Sequence, residues 1–226
     1  MDLKNAFLNL GKAKRGKHLP EWYVGGDLGK NRINKGHLKK LKLLAKLAGK
    51  GKVVDVGFYS KPNPYLNRAI GLDVNVSINP KNYSSIIEWS LGTKIPLKNN
   101  SVDAIIIGET LMYVSDYKKM HDTLKEFNRI LKKKGSLIIS EFNPFFYYNL
   151  ISHFFGGFLY SKEINFISFT KRKVKNLIVK NYGFSLKKIY GDFFEIPFTN
   201  ITFSVNWPKF TYHTIYHLQK SGQPKV

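Results

Sequence analysis

Five residues, Val53-Val54-Asp55-Val56-Gly57, constrain the fold more than any other part of this 226-residue chain. The run from Lys52 to Val56 is short, rich in β-branched residues and closed by a glycine. That is the pattern of a central parallel strand, buried on both faces and opening into a loop. A second apolar run closes on Gly71-Leu72-Asp73. In an open α/β sheet, ligands bind beyond the carboxyl ends of the strands. An acid about twenty residues past the first turn is placed to accept hydrogen bonds from ribose hydroxyls. The two runs therefore predict a nucleoside site with Asp73 on the ribose.

The loop between them, Phe58-Tyr59-Ser60-Lys61-Pro62-Asn63-Pro64-Tyr65, lacks a G-x-G-x-x-G pattern. Its two prolines remove two backbone donors, whereas a pyrophosphate needs a nest of free N–H groups at a helix start. S-adenosylmethionine carries no phosphate and asks only for close approach, so a methyl donor fits this loop better than NAD.

Apolar strands then alternate with helical patterns at short intervals, which predicts a doubly wound α/β sheet. Val102 to Ile107 is the next buried run. From Tyr117 to Lys134, Met120, Leu124, Phe127 and Leu131 form one apolar stripe of an amphipathic helix, closed by three lysines and Gly135. Ser136 to Ser140 follows as a strand.

Taken in order, these pieces resemble a class I S-adenosylmethionine-dependent methyltransferase, closest to the broad type 11 group, over Lys52 to Glu141. Val53 to Gly57 is similar to that family's first motif and Gly71-Leu72-Asp73 to its second. Ile95-Pro96-Leu97 through Ser101-Val102-Asp103 matches the approach to its fourth strand. Gly108-Glu109-Thr110-Leu111-Met112-Tyr113-Val114 stands where the family has a Glu-x-Leu-Glu-His-like segment, and Ile130 to Leu137 matches its helix-to-strand turn. The resemblance implies a Rossmann-like, doubly wound seven-stranded sheet, mostly parallel with a C-terminal antiparallel hairpin. It also implies S-adenosylmethionine as cofactor. Asp55 and Gly57, with the flanking Phe58 and Tyr59, would border the methionine end. Asp73 and Val74 would sit at the ribose, and Ser90 with Leu91 at the adenine edge. Trp89 beside them can stack on the base or belong to the core, and core is the simpler reading. The chain departs from the family in its first loop. Only Gly57 remains of the usual two or three glycines, and Phe58 and Tyr59 replace small residues; a loop rebuilt around Asn63 and its prolines offers another path.

The length suits one domain, 1–226, divided into a basic helical arm (1–50), a cofactor-binding core (51–143) and a substrate-side aromatic region with the closing hairpin (144–226). The absence of cysteine excludes disulfides, a thiolate zinc site and thiolate-assisted methylation of pyrimidine C5, and it suggests a cytoplasmic setting. Residues 1–18 contain no apolar signal core, and the apolar stretch 144–160 is shorter than the ~20 residues of a spanning helix. The net charge of +22 is unevenly spread. Residues 1–52 hold fourteen Lys/Arg against three acids, 53–143 twelve against nine, and 144–226 eleven against three. Such flanks suit RNA, an anionic membrane surface touched peripherally, or an acidic small substrate, while a merely solvated lysine surface is the alternative. Only five of the 37 basic residues are arginine, which argues against specific base readout.

In the first flank, Leu38, Leu41, Leu44 and Leu47 within 34–49 predict an amphipathic helix packed on the sheet with its lysines outward. Glu21 to Asp27 is either a lid or a structural arm. After the fifth strand, the aromatics between Phe145 and Tyr160 are the candidate acceptor wall, or else a core extension. Thr170 to Tyr182 reads as a basic helix, Leu186 to Tyr190 as a strand, and Ile201 to Trp207 as its antiparallel partner. His213 and His217, at i, i+4 spacing without a third ligand, read as surface histidines rather than a metal pair. Because a sulfonium is already activated, the protein must chiefly align acceptor, methyl carbon and sulfur. Glu109, Tyr113 and His153 are the candidate bases for an acceptor proton. The reading is methyl transfer to a small-molecule or lipid-like acceptor. The alternatives are an RNA methyltransferase or a catalytically silent Rossmann-like binding module.

Overall fold

A computed structural model describes residues 27–59, 62–111, 114, 116–143, 146, 170–195, 202–203, 207–208 and 210–225. Helix α1 (Asp27–Ala48) leads into β1 (Val53–Val56), β2 (Ala69–Asp73), β3 (Tyr83–Glu88) and β4 (Val102–Gly108). Helix α2 (Tyr117–Ile130) and β5 (Leu131–Phe142) follow. A short helix α3 (Lys171–Lys173) runs into a π-helical turn (Val174–Val179), then β6 (Phe184–Gly191), β7 (Phe194–Glu195), β8 (Thr202–Phe203) and β9 (His213–Lys220).

Seven strands form one sheet in the order β3-β2-β1-β4-β5-β9-β6. The first five are parallel, and β9 is antiparallel to both β5 and β6. All four residues of β1 are buried, as a strand covered on both faces requires. Leu41, Leu44 and Ala48 of α1 cover one face over Val53, Ala69, Ala104, Ile106, Ile138 and Ile215. Met120, Leu124, Phe127 and Ile130 of α2, with Val174 and Ile178, cover the other over Val54, Ile70, Ile105, Ile107, Leu137 and Leu218. The apolar stripe of α2 is thus wholly inward.

Several element boundaries differ from the sequence reading. Helix α2 stops at Ile130, four residues early, and the three lysines belong to β5. Lys220 on β9 explains the early stop, because its buried amine donates to Asn128 O (2.6 Å) and Leu131 O (2.8 Å) and takes the place of a C-terminal cap. Lys134, not Gly135, takes the left-handed conformation (φ 64°). The strand inserted between β5 and β6 is His213–Lys220, and the segment near 201–207 instead gives β8, which pairs with β7 in a separate two-stranded ribbon. Alternation is clearer in the 201–207 segment than in His213–Lys220, and tertiary packing overrides it. On α1, Leu38 is 44% exposed and Lys40 is only 2% exposed, so the inward face is rotated from the leucine register.

The turn before β4 is held by Arg129. Its guanidinium pairs with Glu126 at 2.6 Å and donates to Ile95 O and Leu97 O, both at 2.7 Å. Glu126 accepts in turn from the Ile95 N–H at 2.7 Å. With Asn99 Oδ1 accepting as well at 2.8 Å, five donors in a rigid fork let one side chain satisfy three turn residues at once. Among the described residues, no helix is long and apolar enough to cross a membrane.

Candidate active site

The strand order reverses between β1 and β4, and at such a switch point the loops leaving the two carboxyl ends part and open a crevice. Gly57 ends β1 at φ 76°, and its N–H donates to Leu72 O at 2.8 Å. A Cβ built there would fall 2.2 Å from Thr110 Oγ1, so only glycine lets the loops after β1 and β4 approach this closely.

Asp73 stands at the end of β2, partly exposed. Its Oδ2 accepts from the Tyr59 N–H (3.0 Å) and its Oδ1 from the Asn75 N–H (3.1 Å), joining the loops that follow β1 and β2. Each carboxylate oxygen has two acceptor sites, so capacity for a diol remains. Partial burial raises its pKa against these backbone donors.

Phe58 turns away from the crevice. Its ring is 2% exposed, lies over Gly71 where a Cβ would come within 2.6 Å, and packs on Tyr83 with centroids 5.2 Å apart. Asn63 holds the rebuilt loop down on the α1 side. Its side-chain amide donates to Leu41 O (2.9 Å) and its N–H to the Tyr83 hydroxyl (3.0 Å), while its carbonyl accepts from the Asn82 amide (2.8 Å). Tyr83 in turn donates to Asp55. Burial pushes the Asp55 carboxyl up to about 7, although Tyr83 and the Asn63 N–H oppose the shift.

At the far side of this opening, Trp89 is 5% exposed, donates to Thr93 O (3.1 Å) and packs on Phe127, as core. With Glu88, Ser90, Thr93, Lys94 and Pro96 it also lines an open recess of about 390 Å³ beyond β3. Ser90 is exposed and Leu91 and Val74 are half-buried.

The β4 side is built differently. Glu109 follows β4 with φ 53°, its N–H donating to Ser140 O at 2.7 Å. Its carboxylate receives the Lys40 ammonium and stands 2.8 Å from His213 Nε2, while His213 Nδ1 faces Asp192. Burial alone would raise the Glu109 pKa, but Lys40 and His213 outweigh it and hold the carboxyl well below its usual range. For His213, burial and Lys40 push the pKa down, and Asp192 with Glu109 push it further up, so the net shift is upward.

Of this array the sequence singles out one member, Glu109. Lys40 falls among the lysines expected on the solvated face of its helix, and Asp192 carries no motif. His213 is not the surface residue expected but a buried one, and the i, i+4 spacing misled because it lies on a strand. There it is separated from His217 by about 13 Å. His217 approaches Ser136 Oγ instead, at 3.0 Å. Tyr113, His153, the acceptor-wall aromatics apart from Phe146, and residues 21–26 of the N-terminal arm lie outside the described residues. Phe146 is buried, its ring 5.1 Å from that of Tyr212.

A methyltransferase domain family model matches residues 65–139. No curated protein matches the chain. Among solved structures, the chain is similar to a Thermotoga maritima SAM-dependent methyltransferase described as a possible histamine N-methyltransferase. The TM-score is 0.66 at 18% identity, over 96% of this chain and 97% of that one. It is also similar to the N-methyltransferase NodS of Bradyrhizobium japonicum bound to S-adenosyl-L-homocysteine (0.58, 11%, 96% and 100%). A third likeness is a putative methyltransferase of Haloferax volcanii in complex with the Trm112 activator (0.59, 16%, 89% and 96%).

Proposed function

We propose, on the premise that this chain is by fold and family model a class I S-adenosylmethionine-dependent methyltransferase, that its acceptor is a small or lipid-like molecule presenting an amine nitrogen. The observation that carries this reading is the Glu109 carboxylate, which follows β4 at the lip of the crevice between β1 and β4 and is paired with Lys40 and His213. The N-methyltransferase descriptions of two similar structures agree with it.

The residues present fit the cofactor. Gly57 leaves the β1 end open to close approach, Asp73 keeps acceptor capacity for a ribose, and Phe58, the bulky substitute for a small loop residue, is packed out of the way. The recess along Ser90 and Trp89 suits the adenine end. When bound, S-adenosylmethionine supplies a methyl group on a sulfonium that departs as a neutral thioether. The chain's own contribution is to orient the partners and to manage charge. Glu109, held far below the ordinary carboxylate range, is a weak base and a strong counter-charge, so its part is to stabilise the positive charge that accumulates on an acceptor nitrogen. Once methylated, that nitrogen releases its proton to solvent or to a base on the acceptor side.

Calorimetric titration with S-adenosylmethionine tests the premise. We expect measurable affinity in the parent protein and at least a tenfold loss in Asp73→Ala; no binding, or an indifferent variant, would refute the cofactor site. A panel of amines and matched alcohols assayed for methyl transfer tests the acceptor class.

One observation favours a second reading, RNA as acceptor. Lys39, Lys42 and Lys46 are exposed along one stripe of α1. Phosphate contacts there predict binding that falls steeply with salt, and a flat response in a salt series would remove this reading. Affinity for cofactor with no methylated product from any acceptor would leave the silent-module alternative in place.

A further inference from the structure

Four charged side chains from four separate segments converge beside the crevice: Lys40 from α1, Glu109 after β4, Asp192 after β6 and His213 at the start of β9. All but Glu109 are less than 5% exposed, and the Glu109 side chain is 21% exposed. Glu109 is therefore the member most accessible to solvent, and it is also the one whose backbone takes the left-handed conformation. Neighbouring Thr110 lies against Gly57 at the β1 end. Residue 109 thus leaves β4 at one lip of the switch point, and its carboxylate reaches past the end of β5 to His213 on β9.

Lys40 is unusual company for that position. Its helix otherwise presents apolar side chains to the sheet, and a buried ammonium needs either a counter-charge or a full set of acceptors. A lysine side chain is a primary ammonium on a four-carbon apolar stem. A ligand of the same kind can take its place on Glu109 without changing the net charge of the array, whereas a neutral or anionic ligand would strand a buried carboxylate.

We propose that Glu109 is the seat of an organic ammonium ligand and that Lys40 is the internal stand-in that fills it when the ligand is absent. This inference rests on the methyltransferase reading and deepens it. The ammonium has two sources in such an enzyme, the amino group of the methionine moiety of the cofactor or an amine acceptor, which arrives protonated and passes its proton to solvent before its nitrogen takes the methyl group. Arrival of either displaces Lys40 and loosens the hold of the Gly36–Leu44 stretch of α1 on the sheet.

The probes are S-adenosylmethionine and n-butylamine, with n-butanol as the uncharged match, titrated into the full chain and into Lys40→Met and Glu109→Gln. Tenfold or greater tightening of one ammonium probe in Lys40→Met is expected, with a comparable loss in Glu109→Gln and no change for n-butanol. Tightening toward S-adenosylmethionine assigns the seat to the cofactor's amino group. Tightening toward n-butylamine in the presence of S-adenosylhomocysteine assigns it to the acceptor. If both variants bind both ammonium probes as the parent does, the array is purely structural and the proposal falls. Complete absence of S-adenosylmethionine binding would overturn the methyltransferase reading, while the n-butylamine arm would still decide the seat.

Should a variant fail to fold, hydrogen exchange on the parent protein supplies an independent readout. Displacement of Lys40 predicts faster exchange across residues 36–44 when the ammonium probe is bound. Unchanged or slower exchange there contradicts the proposal.

Discussion

Strand β9 carries a buried basic side chain at each end, and the two are treated in opposite ways. At the lower end Lys220, 6% exposed, spends its three N–H bonds on neutral oxygens: Asn100 Oδ1 (2.9 Å), Asn128 O and Leu131 O. Among the described residues no carboxylate answers it there, and burial lowers its pKa. At the upper end His213 lies between two carboxylates, with the Lys40 ammonium on the far side of one of them. The lower arrangement closes a helix. The upper one concentrates paired charge at the edge of a crevice, where replacing one partner by a ligand has electrostatic consequences. Burial of a cation is therefore no guide to its role until its partners are known to be dipoles or ions.

The contrast can be broken most forcefully at Glu109. Glu109→Gln leaves Lys40 without its counter-charge, and we expect a loss of about 3–5 kcal/mol in chemical denaturation. Adding Lys40→Met should restore much of it, and an additive double-mutant cycle would show that the two do not interact. Lys220→Met comes next. It strands two backbone carbonyls and an amide oxygen at a cost of about 2–3 kcal/mol, while S-adenosylmethionine affinity should stay within twofold of the parent. A change in affinity there would erase the distinction between the two ends.

Acidity separates them further. The Glu109 carboxyl is depressed in the folded state, so its contribution is present above the ordinary carboxylate range and is lost as pH falls through the lower folded value. Asp55, raised to about 7, has the opposite sign. Between pH ~4 and 7 the folded protein holds the extra proton, so stability declines as pH rises across that window. Asp55→Asn should remove this decline, giving a gain over the parent of about 1–3 kcal/mol at pH 8 that shrinks toward pH 5. The smallest effect belongs to the surface. Lys132 and Asp103 pair at 2.8 Å with both side chains more than a third exposed, and Lys132→Ala should cost no more than about 0.5 kcal/mol.

Much of this architecture was legible because each clue was local. The β-branched run of β1, the acid closing β2 and the helical stripe Met120, Leu124 and Phe127 each declare an environment within a few residues, although Leu131, read as the next member of that stripe, opens β5 instead. The charged array did not declare itself, for physical reasons. Lys40 sits among Lys39, Lys42 and Lys46, and nothing in composition says which lysine of such a helix turns inward. His213 and Asp192 meet across 21 residues and two strands, through the antiparallel register of β6 and β9. The choice of β9 over the 201–207 segment likewise depends on what covers each strand.

Phe58 and Gly71 together fill one slot: the bulk that a small-residue loop would lack is supplied by the loop, and the strand beneath gives up its side chain to receive it. Such an exchange hides the site from any reader who counts glycines in the loop alone. It also makes the strand position a remote control of the loop, because even a methyl group at residue 71 must evict the ring from its slot against Tyr83.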